Sequence, residues 1–150
     1  MRQGIRRPVP HVRALLLAAL LGASAAGSGA ADQAAPRFIH TAAYTAEQAK
    51  RGLHLYYKNC SGCHGDMLNG AESGPALSGG AFERRWQGKT LADLYDKARV
   101  TMPPLPDQPG KLSEQEYIDI VAAILNTNGA PAGTQELSSQ PEALKALVIE

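Results

Sequence analysis

Apolar residues recur at helical spacing in three stretches of the chain. In "TAEQAKRGLHLYYKN", residues 45–59, Ala49, Leu53 and Tyr56 share one helical face, and Thr45 with Gln48 three residues on has the form of a capping box. This predicts a helix that ends just before or at Cys60. Gly52 in its interior costs about 1 kcal/mol relative to alanine, and a close backbone approach by another element would account for it. Thr90 and Asp93 bracket a second helix start, with Leu91, Leu94, Tyr95 and Ala98 on its apolar face. Ser113 and Glu116 open a third, in which Tyr117, Ile120, Val121 and Ile124 repeat at i, i+3, i+4 and i+7 until Asn128 and Gly129 end it. Pro141 suits a first helical position and predicts a short helix reaching Val148.

The segments between are rich in breakers. Gly62 to Gly80 holds six glycines and one proline, which predicts a long loop, and long loops retained in small domains are usually functional. "TMPPLPDQPG" holds four prolines and stops the second helix. No stretch alternates with period two over a useful length, so strands are not expected, and no internal repeat is visible. The expected class is all-α, with three to four short helices joined by long Gly/Pro-rich loops.

The N-terminus changes the count of what folds. Arg2, Arg6, Arg7 and Arg13 precede or flank "ALLLAALLGASAAGSGA", a basic region, a short apolar core and small residues before a cleavage point: the form of a secretory signal peptide. The apolar core from Ala14 to Leu21 falls short of the ~20 residues that span a bilayer, so no transmembrane anchor is expected after cleavage near Ala30 or Ala31. Removing residues 1–30 leaves eleven basic residues against fourteen acidic, a formal charge of −3. A mildly acidic chain with no basic run excludes nucleic acid as the expected partner. About 120 residues remain, enough for one modest core. We expect residues 31–44 as a flexible arm, 45–129 as the domain and 130–150 as an extension with a short helix.

The two cysteines of the chain lie within "NCSGCHGDM", Cys60 and Cys63 with His64 directly behind. A thioredoxin-like pair expects a βαβ setting that the helical pattern does not supply. Zinc needs about four ligands, and no second Cys/His pair stands at ligand spacing. A disulfide closing so short a loop would constrain little of the unfolded chain. C-x-x-C-H as covalent c-type haem attachment remains: two thiols three residues apart add to the two vinyl groups of one porphyrin, and the adjacent imidazole lies over the iron. Export supports it, because thioether-linked haem is matured outside the cytoplasm. His64 then supplies the fifth ligand. Candidates for the sixth are Met102, His54, His40 and Met67. Met67 would stay on the proximal side, His54 reads as a surface or packing histidine, and His40 lies in the arm. Met102, flanked by Pro103 and Pro104 in a stiff loop, is the favoured ligand, against its reading as a core filler.

With these residues in hand the chain resembles the class I cytochromes c, the small monohaem electron carriers, over roughly Thr45 to Gly129, most strongly in "CSGCHG" and "TMPP". The resemblance implies a cytochrome c fold wrapped around one covalently bound haem, thioethers at Cys60 and Cys63, and iron held by His64 and Met102. "GPAL" is similar to the family's loop beneath the haem, which implies that the Pro75 carbonyl accepts the Nδ1 proton of His64 and that Leu77 packs on the porphyrin. Trp86 is similar to the tryptophan lining the haem edge near a propionate. In that family the first and last helices cross at a small residue, a role for Gly52. The usual aromatic on the last helix is replaced here by Ala123, with Tyr117 available to compensate.

The function this implies is one-electron transfer rather than catalysis, in the periplasm, between a dehydrogenase as donor and an oxidase or another cytochrome as acceptor. "NGAPAGTQEL" and the tail resemble haem domains fused to, or small cytochromes working with, periplasmic quinoprotein dehydrogenases. Two alternatives stay open: a haem subunit fixed in a dehydrogenase complex, and a sensor or peroxidase-like protein with an open sixth position. No phosphate-binding glycine loop, zincin motif or nucleophile elbow is present.

Overall fold

Residues 42–104 and 111–150 are described by the computed structural model. The segment read as a signal peptide and most of the arm, including His40, lie outside the described residues. In chain order the helices are α1 Ala46–Asn59, α2 Ser61–His64, α3 Gly79–Trp86, α4 Leu91–Thr101, α5 Glu114–Thr127 and α6 Pro141–Lys145. Among the described residues there is no strand, only isolated bridges joining Ala71 to Gly74 and Thr90 to Val148. The class is all-α. Two helical segments go beyond the sequence reading: the single turn α2, and α3, whose glycines at the first two positions disguised it as loop. The signal for α3 was Phe82 and Trp86 four residues apart, both buried, with ring centroids 6.1 Å apart.

Local chemistry explains where the helices begin. Thr90 with Asp93, and Ser113 with Glu116, form complete capping boxes in which hydroxyl and carboxylate satisfy each other's backbone N–H. At α1 only half of the box forms. Thr45 Oγ1 accepts the Gln48 N–H at 3.1 Å, but the Gln48 amide turns inward, donating to the Leu137 carbonyl at 3.0 Å and accepting the Leu137 N–H at 2.6 Å. A residue read as a cap partner is therefore a buried tie to the C-terminal segment.

α5 is buried on nearly every side from Tyr117 to Leu125, because it packs on both α1 and α4. Its contact with α1 is backbone to backbone: a Cβ built on Gly52 would lie 1.7 Å from the Asp119 carbonyl oxygen. Beside it, Arg51 reaches the buried Asp119 carboxylate at 3.0 Å and Glu136 at 2.8 Å. The tail belongs to the same core. Leu137, Leu144 and Ile149 are buried, and α6 stops at Lys145 because residues 147–149 turn to pair with residues 88–91. Tyr44, assigned to the arm in the sequence, is fully buried and donates to the Ala130 carbonyl.

Gly52→Ala should destabilise the protein by about 3 kcal/mol or more in urea unfolding, overpacking outweighing the better helix propensity of alanine; a raised midpoint would contradict the contact. Asp93 and Glu116 are held below the usual carboxylate range first by the backbone N–H of Thr90 and Ser113, then by their hydroxyls. Folded values below unfolded ones give stability that is present above the unfolded carboxylate pKa of about 4 and is lost as pH falls through the folded value. The loss of thermal stability towards pH 3 should therefore be shallower in Glu116→Gln than in the wild type.

Candidate haem-binding site

The site starts where α1 ends. Cys60 caps the helix with its N–H on the Tyr56 carbonyl at 2.8 Å, and the chain then closes one tight turn, with the Cys63 and His64 N–H groups both on the Cys60 carbonyl at 3.1 and 3.0 Å. That turn aims Cys60, Cys63 and His64 at one cavity of about 470 Å³, within the ~300–1,000 Å³ typical of cofactor sites. The Tyr56 hydroxyl holds the turn from behind by donating to the Gly65 carbonyl.

His64 is buried, and its Nδ1 lies 2.7 Å from the Pro75 carbonyl. A carbonyl only accepts, so Nδ1 carries the proton and Nε2 has the lone pair for a ligand bond. The loop that brings Pro75 here passes so close that a Cβ on Gly74 would lie 2.7 Å from the Cys63 carbonyl and 3.0 Å from His64 Nδ1. Asn128 fastens the same loop to α5: its Nδ2 donates to the Leu77 carbonyl at 2.9 Å, and its Oδ1 accepts the Gly79 N–H at 2.9 Å, satisfying the first turn of α3. The sequence marked Asn128 only as a helix end. Nothing local to it signals a bond across about fifty residues.

The other side of the cavity is built by α4 and α5. Met102 follows the last turn of α4, its N–H on the Ala98 carbonyl at 3.0 Å, and the Tyr117 hydroxyl donates to its carbonyl at 2.6 Å. Met102, Pro103 and Pro104 border the cavity, Leu94, Ala98, Ile120 and Ile124 give it an apolar lining, and Trp86 and Leu77 complete the wall. All seven residues singled out in the sequence, Cys60, Cys63, His64, Pro75, Leu77, Trp86 and Met102, meet around this one space. The two rival ligands among the described residues do not: His54 is exposed on α1 and Met67 is 74% exposed. Lys89 stands 5.1 Å over the Trp86 ring.

The chemistry of the donors fits a haem. Burial, and then the neighbouring Cys63, pushes the Cys60 thiol up to about 11, the opposite of the depressed thiol of a disulfide oxidoreductase. Among the described residues no three His, Cys, Asp or Glu side chains gather as a metal cluster, so a zinc site lacks ligands there. An imidazole with a fixed tautomer and a thioether, beside two thiols and an apolar lining, are the groups that hold a c-type haem.

A family model, cytochrome c oxidase, cbb3-type, subunit III, matches residues 47–123, 77 of the 150. The chain belongs to this cytochrome c family. Membership implies haem c with its iron, and electron transfer through it. This cytochrome c also matches a solved structure, the sulfane dehydrogenase SoxCD from Paracoccus pantotrophus, with 27% identity and a TM-score of 0.50 over 67% of this chain and 52% of that one. It thus spans about half the length of that solved chain. No curated protein matches it.

Gly74→Ala should press a methyl group onto the Cys63 carbonyl and the imidazole. We expect a loss of about 1–3 kcal/mol in stability and a smaller fraction of purified protein carrying haem, read from the ratio of haem to protein absorbance. Unchanged loading and stability would show that the loop does not brace His64.

Proposed function

We propose that this cytochrome c is an exported one-electron carrier whose single haem is attached through Cys60 and Cys63 and ligated by His64 and Met102. One observation carries the reading: two thiols, an imidazole with its Nδ1 already engaged, and a thioether from another wall border the same cavity. When bound, the haem supplies an iron that alternates between ferric and ferrous states. The chain sets the conditions of that exchange. The Pro75 carbonyl fixes the orientation and tautomer of the His64 ring. The Met102 thioether favours a higher potential than a second imidazole would. Leu94, Ala98, Ile120 and Ile124 keep water out, and a low dielectric disfavours the additional positive charge of the ferric state. Leu77 and Trp86 would wall the porphyrin, and His64 and Met102, anchored by a helical turn and by prolines, would hold the iron with little rearrangement of the chain between its two states.

Residues 1–30 act as a cleaved signal directing residues 31–150 to the periplasm, where the domain of residues 45–129 works; no helix among the described residues is long and apolar enough to cross a membrane. Donor and acceptor are a dehydrogenase, of the quinoprotein kind, and an oxidase or further cytochrome. The likeness to a sulfane dehydrogenase supports the donor class, and the oxidase-subunit family model supports the acceptor class. The charged side chains bordering the cavity, Lys58, Arg85 and Lys97, are all basic and exposed, which favours an acidic docking face on the partner. A second reading, a haem subunit held permanently in a dehydrogenase, is favoured by the same likeness. The apolar side chains Leu137, Leu144 and Ile149 of the tail face the protein's own core, which leaves only its exposed, mostly polar residues for docking. Gel filtration of native periplasm separates the two readings.

The oxidised wild type should be low-spin, with the weak band at the red end of the spectrum that marks sulfur on ferric haem. Met102→Ala should lose that band and become high-spin or bind an added ligand readily. A high-spin wild type would instead favour a sensor or peroxidase-like protein.

A further inference from the structure

Met102 sits where a backbone carbonyl is hardest to satisfy. It follows the last turn of α4, where carbonyls have no partner in their own helix, and the next two residues are prolines, which bring no N–H to close a turn. The Thr101 hydroxyl turns back to the Lys97 carbonyl at 2.7 Å and does not help. The donor comes from another helix: Tyr117, 2% exposed in the first turn of α5, gives its hydroxyl to the Met102 carbonyl at 2.6 Å. The Met102 N–H is meanwhile held by the Ala98 carbonyl at 3.0 Å.

We propose that the Tyr117 hydroxyl is a positioning group for the Met102 thioether, pinning the Met102 backbone between α4 and α5 so that the side chain is already directed into the cavity before it binds iron. The inference rests on Met102 being the sixth ligand. A ligand fixed at both backbone groups has only its own side-chain rotations to lose on binding, and so competes better with outside ligands. If Tyr117 were core filler alone, its ring would matter and its oxygen would not. Tyr95 provides the internal control. It is also buried, it lies on α4, and its hydroxyl has no hydrogen-bond partner among the described residues.

The test uses the ferric holoprotein titrated with imidazole, in the wild type, Tyr117→Phe and Tyr95→Phe. The wild type must first show the sulfur-to-iron band; its absence overturns Met102 ligation, and with it this proposal. With the band present, Tyr117→Phe should keep it but bind imidazole about three- to tenfold more tightly, the effect of losing one shielded hydrogen bond, while Tyr95→Phe matches the wild type. Equal imidazole affinity in Tyr117→Phe and wild type, with the band retained in both, overturns the positioning role and leaves Met102 ligation standing. Equal tightening in both phenylalanine variants also overturns it, because general loosening would then explain the change. Should Tyr117→Phe not fold, proton NMR of the reduced wild type decides: a slowly exchanging Tyr117 hydroxyl proton close to Met102 supports the bond, and a hydroxyl in rapid exchange with water overturns it.

Discussion

The contact between Gly52 and the Asp119 carbonyl brings the backbones of α1 and α5 together with no side chain between them, and two walls of the cavity hang from it. Two turns along α1 the chain reaches Cys60. On α5, Ile120 and Ile124 line the cavity, while Tyr117, two residues before Asp119, holds Met102. The separation of thiols and imidazole from the thioether is thus set by how closely two helices approach. A side chain at residue 52 would push α5 away and change that separation. The ion pair from Arg51 to Asp119 lies beside the crossing. Arg51 is largely in water and adds little to stability by itself, but Gln115 also donates to Asp119 at 2.8 Å, so the buried carboxylate is fully engaged.

Around this crossing the protein holds its candidate ligands by backbone carbonyls rather than by charged groups. His64 is oriented by the Pro75 carbonyl, and the loop carrying Pro75 is fastened by Asn128 to the carbonyl of Leu77 and the N–H of Gly79. Met102 is fastened through its own carbonyl by Tyr117. Neutral partners keep buried charge away from His64 and Met102, which suits a group whose iron changes charge by one unit with each electron passed. The cations at the cavity, Lys58, Arg85 and Lys97, stay exposed.

What could be read in the sequence was what short stretches determine by themselves. The haem-attachment spacing of Cys60, Cys63 and His64, the capping boxes at Thr90 and Ser113, and the need for a glycine at residue 52 follow from residue type and spacing over a few positions. Met102 stood out by its thioether in a proline-stiffened loop, whereas the gathering of Pro75, Leu77 and Trp86 around the cysteines came from resemblance, because no spacing rule links residues so far apart in the chain. Where the reading fell short, the partner was distant. Gln48 looked like a cap partner until its amide was seen on Leu137, and Asn128 like a helix terminus until it was seen on Leu77 and Gly79. The tail looked loose because its apolar residues are few, yet Leu137, Leu144 and Ile149 are each buried in a core that the rest of the chain builds.

The central claim is that the helix crossing presents His64 and Met102 to a single iron from two sides. Proton NMR of the reduced holoprotein tests it most directly, since a methionine methyl bound over the porphyrin ring is shifted far upfield by the ring current. The account predicts one such methyl resonance, assigned to Met102, with the Met67 methyl at an ordinary position. No upfield methyl, or one belonging to Met67, would contradict it.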